Sequence, residues 1–154
     1  MLEAILGAIP GCIIDLVKFI FQMGKKKSEK FPLRQEYESL RRMAAEALVM
    51  NACYYCNPVD IAQHGDKLPE AYERGSTQLR ELGAKFRSFA ETLPERTHDI
   101  PLSKEQIAQV GSNFIGLSNS FNTPYRCPCD WEGVLAAKEM EATIRSLLDI
   151  SEIE

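Results

Sequence analysis

The chain has 154 residues, 45% hydrophobic and 26% charged, a composition and length that suit one folded domain with one further segment and exclude a disordered chain. Its formal charge of −4 is unevenly divided: residues 1–30 hold 5 basic and 3 acidic side chains, and residues 31–154 hold 13 and 19, leaving the body at −6. A body so acidic lacks the basic face that phosphate neutralisation needs, so nucleic acid is excluded as the expected partner.

The first segment runs from Leu2 to Met23. No charge falls between Ala4 and Ile14, and apolar character continues through Leu16, Val17, Phe19, Ile20, Phe21 and Met23. That length is close to the ~20 residues a bilayer span requires. The run ends at a basic knot, Lys25, Lys26, Lys27 and Lys30, which suits anionic lipid at about 1 kcal/mol per residue near the surface. Glu3, Gly7, Gly11, Asp15, Lys18 and Gln22 recur every three or four residues and share one narrow helical stripe.

Three placements fit this stripe. In a spanning helix it lies between subunits, where Gly7 and Gly11 let two helices approach and Asp15 and Lys18 offset each other. On a helix lying flat at the headgroups it faces water. In a buried helix of a soluble bundle, Asp15 and Lys18 stand at the rim. Interior charges cost a span roughly 2.5 to 3.5 kcal/mol each, and Pro10 kinks the helix or restricts it to the part that follows.

The segment's length and the abrupt lysine boundary favour the span. Residues 31–154 then lie on the cytoplasmic side, because flanking lysines stay there. A cleaved signal peptide is not expected: the basic residues follow the apolar run, and Phe19-Ile20-Phe21 is unlike a small-residue cleavage site. The expected partners are membrane lipid and a second copy of the helix.

Phe31-Pro32 reads as a break, with Pro32 suited to the first turn of a new helix. Tyr37, Leu40, Ala44, Leu48, Asn51 and Tyr55 then share one side at helical spacing, and Asn57-Pro58 closes the helix. Gly65 and Asp66 mark the next stretch as a loop. In the second helix Tyr72, Leu79, Leu82, Phe86, Phe89 and Leu93 form an apolar seam that Pro94 ends.

Ser103 and Gln106 make a capping box for a third helix, whose buried side is Ile107, Val110, Phe114, Leu117 and Phe121. It gives out around Ser118-Asn119-Ser120. Asp130 caps a last helix reaching about Asp149, with Val134, Ala137, Met140, Ile144 and Leu147 near one side. With no strand alternation and no internal repeat, these segments predict an all-α fold: an antiparallel four-helix bundle over 31–154, preceded by a membrane-associated N-terminal helix over 1–30.

Leu79-Arg80-x-Leu82 running on to Phe86 and Phe89, the Asn57-Pro58 helix end and above all Ile115-Gly116-Leu117-Ser118-Asn119-Ser120 carry a resemblance. Over roughly residues 40–150 the chain resembles a group of small, uncharacterised membrane-anchored all-helical proteins with a spanning N-terminal helix and a cytosolic helical domain. The resemblance implies a transmembrane first segment and no particular chemistry. The chain departs from that pattern in placing Asp15 and Lys18 inside its apolar run.

Cys53-x-x-Cys56 and Cys127-x-Cys129 supply four thiols for zinc on paper, at a separation unlike a compact zinc module. The alternative is that cysteines at a helix end are small, buried apolar residues. Five cysteines, an odd number, read as mostly reduced thiols. His64 and His98 fall in loops, where a solvated histidine is the default. No phosphate-cradling glycine loop, serine-hydrolase elbow or paired-histidine metal motif is present.

Ser118 and Asn119 are candidates for ligand contact at a helix end, or for satisfying its loose backbone groups, with Gly116 allowing close helix packing. Arg80 is either a partner for a neighbouring helix or a solvated face residue. The expectation is a non-enzymatic, single-pass membrane-anchored interaction or sensing module without a cofactor. The alternative is a soluble helical bundle that binds a metal or small ligand through its cysteine-bearing loops.

Overall fold

The computed structural model describes residues 11–59, 67–95, 99–121 and 131–151. They form four helices and, among the described residues, no strand: α1 is Gly11–Cys56, α2 is Glu70–Thr92, α3 is Lys104–Ser120 and α4 is Trp131–Leu148. The chain divides into two compact units, Met1–Glu36 and Tyr37–Glu154.

In the first unit, α1 passes through Pro32 without interruption, where the sequence predicts a break at Phe31-Pro32. A proline inside a helix removes one backbone bond and crowds the preceding turn, at a cost of about 3 kcal/mol. Hydrogen-bonded turns on both sides of Pro32, in a helix of 46 residues, carry that loss. Gly11, Asp15, Lys18 and the lysines Lys25, Lys26, Lys27 and Lys30 fall within α1, while Gly7 and Pro10 lie outside the described residues. No helix among the described residues is long and apolar enough to cross a membrane.

The second unit is a helical bundle whose directions follow from its side-chain pairs. Asn51 meets Gln78 and Tyr72 meets Asn57, so α1 and α2 run antiparallel. Ser76 meets Ser118, and Gly83 lies against Gly111, so α2 and α3 do too. Arg41 reaches the end of α4, while Tyr55, later in α1, feels the charge of Glu141, earlier in α4. That pairing makes α4 antiparallel to α1.

The periodicity that built the helices also built the core. Tyr37, Leu40, Ala44, Leu48, Asn51 and Tyr55 of α1 are all buried, as are Leu79, Leu82, Phe86 and Phe89 of α2. Ile107, Val110, Phe114 and Leu117 of α3, with Phe121 just beyond it, complete the predicted face. On α4 the expectation for Leu147 is displaced by one: Leu148 is fully buried and Leu147 only half-buried. Four residues beyond Ile144 is nearer a whole turn than three, which puts Leu148 on its side.

The ends of two helices are fixed by side chains. Ser103 Oγ accepts from the Gln106 backbone N–H at 3.2 Å while Gln106 Oε1 accepts from the Ser103 N–H at 2.8 Å, the reciprocal box expected for α3. At the end of α4, Asp149 adopts φ 51° and the Ile150 N–H donates back to the Arg145 carbonyl at 2.9 Å, a six-residue left-handed stop. Arg41 caps the same end across the bundle, donating from Nε to the Leu148 carbonyl at 2.6 Å and from Nη2 to that of Asp149 at 2.5 Å. Its cation stands where the helix dipole is negative.

α2 and α3 cross at a pair of glycines. A Cβ on Gly83 would stand 2.6 Å from the Gly111 carbonyl oxygen, and one on Gly111 would stand 2.7 Å from that of Gly83. The Phe86 and Phe114 rings stack nearby, with centroids 5.7 Å apart.

Candidate functional site

The residues singled out in the sequence fall into two groups in the second unit. The first is the Ile115–Ser120 stretch. Arg80 Nη2 of α2 donates to Asn119 Oδ1 at 3.2 Å, so the structure brings these two candidates together at an exposed position. Ser118 is fully buried. Its hydroxyl donates to the Ile115 carbonyl of its own helix at 2.7 Å, and its carbonyl accepts from Ser76 Oγ at 3.0 Å. Ser120 Oγ donates to the Leu117 carbonyl at 2.7 Å.

Gly116 meets α4, with the Met140 thioether standing where a Cβ would be. This stretch is a joint at which α2, α3 and α4 touch.

The second group lies where α1 ends, α2 begins and α3 ends. Tyr54 packs against Tyr72 with ring centroids 4.7 Å apart and against Phe121 at 5.8 Å; Tyr72 meets Phe121 edge-on at 6.2 Å. Polar groups lock the same corner. Asn51, buried, donates from Nδ2 to the Ala47 carbonyl at 2.8 Å and to Gln78 Oε1 at 3.1 Å. Its Oδ1 occupies the space a Cβ on Gly75 would need. Asn57 Nδ2 donates to the Cys53 carbonyl at 3.0 Å, and the Tyr72 hydroxyl donates to the Asn57 carbonyl at 2.8 Å.

Beside this corner runs a half-buried polar chain. The Tyr55 hydroxyl donates to the Leu48 carbonyl at 3.3 Å. Burial, and next the Glu141 carboxylate to which the phenol is hydrogen-bonded, push its pKa far above the ordinary phenol value. Glu141 is in turn paired with Arg145 at 2.8 Å. Cys53 is exposed, Cys56 is half-buried, and both are free thiols. Burial first, and then Glu141, raise the Cys56 thiol, with Lys138 opposing. A thiol held protonated is a poor nucleophile and a poor metal ligand.

Among the described residues no three His, Cys, Asp or Glu side chains are grouped closely enough to hold a metal. Cys127, Cys129, His64 and His98 lie outside the described residues, and with them the rest of the four-thiol zinc set. On the outer face of α2, Glu73, Arg74, Thr77, Gln78 and Glu81 line a shallow, open depression.

Three contributors escaped the sequence reading. The Tyr72 to Asn57 clamp and the Asn51 to Gln78 bond depend on interhelical register, which a single helix's periodicity does not contain. The Glu141 and Arg145 pair has a readable signal, the i, i+4 spacing of opposite charges. No protein-family model, curated protein or solved structure matches the chain.

Proposed function

We propose that this chain is a non-enzymatic, membrane-anchored interaction module, in which Leu2–Met23 enters the bilayer and the helical bundle is presented on the cytoplasmic side. The observation that carries this reading is the uncharged run Ala4–Ile14, prolonged in apolar character to Met23 and cut off by Lys25, Lys26, Lys27 and Lys30. Such a boundary matches hydrocarbon on one side and anionic headgroups on the other. The reading is supported by the compact unit Tyr37–Glu154, which the apolar run lies outside. The bundle's polar interior groups are engaged with one another, which suits a module that presents a surface better than one that turns over a substrate. Pairing through the Gly7, Gly11, Asp15 and Lys18 stripe gives the anchor a way to bring two bundles together.

The test is fractionation of the full chain and of a chain lacking residues 1–30. The full chain is expected in the membrane pellet, resistant to high salt and to alkaline carbonate, and the shortened chain in the supernatant. Release of the full chain by salt alone replaces the span with a flat, electrostatically held helix. A full chain that stays in the supernatant of a membrane preparation overturns the reading.

A further inference from the structure

We infer that Cys53 and Cys56 form a peroxide-sensitive dithiol whose closure to a disulfide releases the clamp between the end of α1 and the start of α2. The two cysteines are one helical turn apart in the last turn of α1, both free, one exposed and the other half-buried. On an undistorted helix, positions three apart hold their Cβ atoms roughly 5 to 6 Å apart, whereas a disulfide needs about 3.5 to 4.5 Å. The bond therefore forms only if the last turn tightens.

That turn carries one of the ties between α1 and α2. Asn57 Nδ2 is bonded to the Cys53 carbonyl at 3.0 Å, and the Asn57 carbonyl receives the Tyr72 hydroxyl at 2.8 Å. Tyr72 packs in turn on Tyr54 and Phe121. A shift of the Cys53–Asn57 backbone thus moves an acceptor at each of two hydrogen bonds and reaches the aromatic corner through Tyr72.

The chemistry balances with a hydroperoxide as the oxidant. The exposed Cys53 thiolate attacks the terminal peroxide oxygen and the O–O bond breaks. The departing oxygen takes a proton to leave as water or alcohol, and Cys53 becomes a sulfenic acid. The Cys56 sulfur then attacks the Cys53 sulfur; the S–S bond forms, the S–O bond breaks and a water leaves with the remaining proton. The peroxide gains two electrons, one from each sulfur overall. The order of the two roles follows from access: Cys53 is exposed and meets the peroxide first, while Cys56 is half-buried one turn away.

The experiment treats the purified full chain with hydrogen peroxide, maps the products by peptide mass spectrometry and compares amide hydrogen exchange before and after. A loss of two hydrogen masses is expected on the peptide that holds Cys53 and Cys56. Exchange over residues 53–57 and 70–73 is expected to quicken about fivefold, as for the loss of one ordinary hydrogen bond. Cys56→Ser is expected to trap the sulfenic acid on Cys53, where dimedone labels it, and Cys53→Ser to leave position 56 unlabelled. Pairing of either cysteine with Cys12, Cys127 or Cys129, absence of any bond, or a mapped Cys53–Cys56 bond that leaves exchange in both segments unchanged, each overturns the inference.

Discussion

Tyr55 concentrates in one side chain what burial does to a titratable group. It is fully buried, and desolvation is the largest cause of its raised pKa, followed by the Glu141 charge and hydrogen bond. Tyr37 and Tyr72 are shifted the same way, and burial is again the leading cause for each. A phenol with a folded pKa above its unfolded value keeps its proton in the folded state after the unfolded chain has lost it. The stability this represents is complete below pH 9 and declines as pH rises past the ordinary phenol value of 10.0. Each proton linked in this way steepens the decline by about 1.4 kcal/mol per pH unit. Tyr55→Phe is expected to lower stability at pH 7 by about 1 kcal/mol, since the bond to Leu48 goes, and to flatten the loss between pH 10 and 11.5 by up to one proton. Urea unfolding at pH 7, 10 and 11.5 measures both, and equal alkaline slopes for the two proteins would show that Tyr55 is not linked to folding. Its burial was readable from helical spacing. Its partnership with Glu141 was not, because that depends on how two helices far apart in sequence are set against each other.

The helices themselves were the most legible elements, since each has a periodic apolar face and several have end signals such as the Ser103 box or Pro94. What periodicity omitted is how closely they approach. The seam through Leu79, Leu82 and Phe86 announces that α2 is buried, yet the crossing is set by Gly83 and Gly111, which carry no hydrophobic signal. Two effects compete when such a glycine becomes alanine. The helix gains about 1 kcal/mol in propensity, while an added methyl in a filled space costs about 1 to 3 kcal/mol. At Gly83 the obstacle is the Gly111 backbone oxygen at 2.6 Å, which moves only if α3 moves. Gly83→Ala is therefore expected to destabilise by about 1 to 2 kcal/mol net. At Gly116 the obstacle is the end of the flexible Met140 side chain on half-exposed ground, so Gly116→Ala is expected to stay within about 0.5 kcal/mol of the parent. Thermal or urea melts of the two variants check the ordering, and a Gly83→Ala protein as stable as Gly116→Ala would mean that the glycine crossing does not set the helix spacing. The Ile115–Ser120 stretch was legible as a motif; what register adds is that Asn119 meets Arg80 of α2, while the Ser118 and Ser120 hydroxyls bond back to α3 itself.

For the whole molecule, the question is whether the bundle needs what precedes it. The second compact unit is Tyr37–Glu154, so removing residues 1–30 deletes no part of it. The break expected at Phe31-Pro32 is absent from α1, and this bears on the result. Inside the helix Pro32 costs one backbone bond, but in a chain starting at residue 31 it falls in the first turn, where its missing N–H has no partner to lose and its fixed φ suits the helix. Truncation thus turns an interior defect into a favourable start for the part of α1 that builds the bundle. The chain 31–154 is expected to unfold in one cooperative transition, with a melting temperature within about 4 °C of the full chain, the shift produced by roughly 1 kcal/mol in a domain of this size. It is also expected to lose helical circular dichroism only in proportion to the residues removed. Calorimetry and far-ultraviolet circular dichroism measure both quantities. A broad, non-cooperative transition, or a helical loss well beyond the deleted turns, would mean that the first unit stabilises the second, and the apolar run would then have to be counted as part of the fold and not as its anchor.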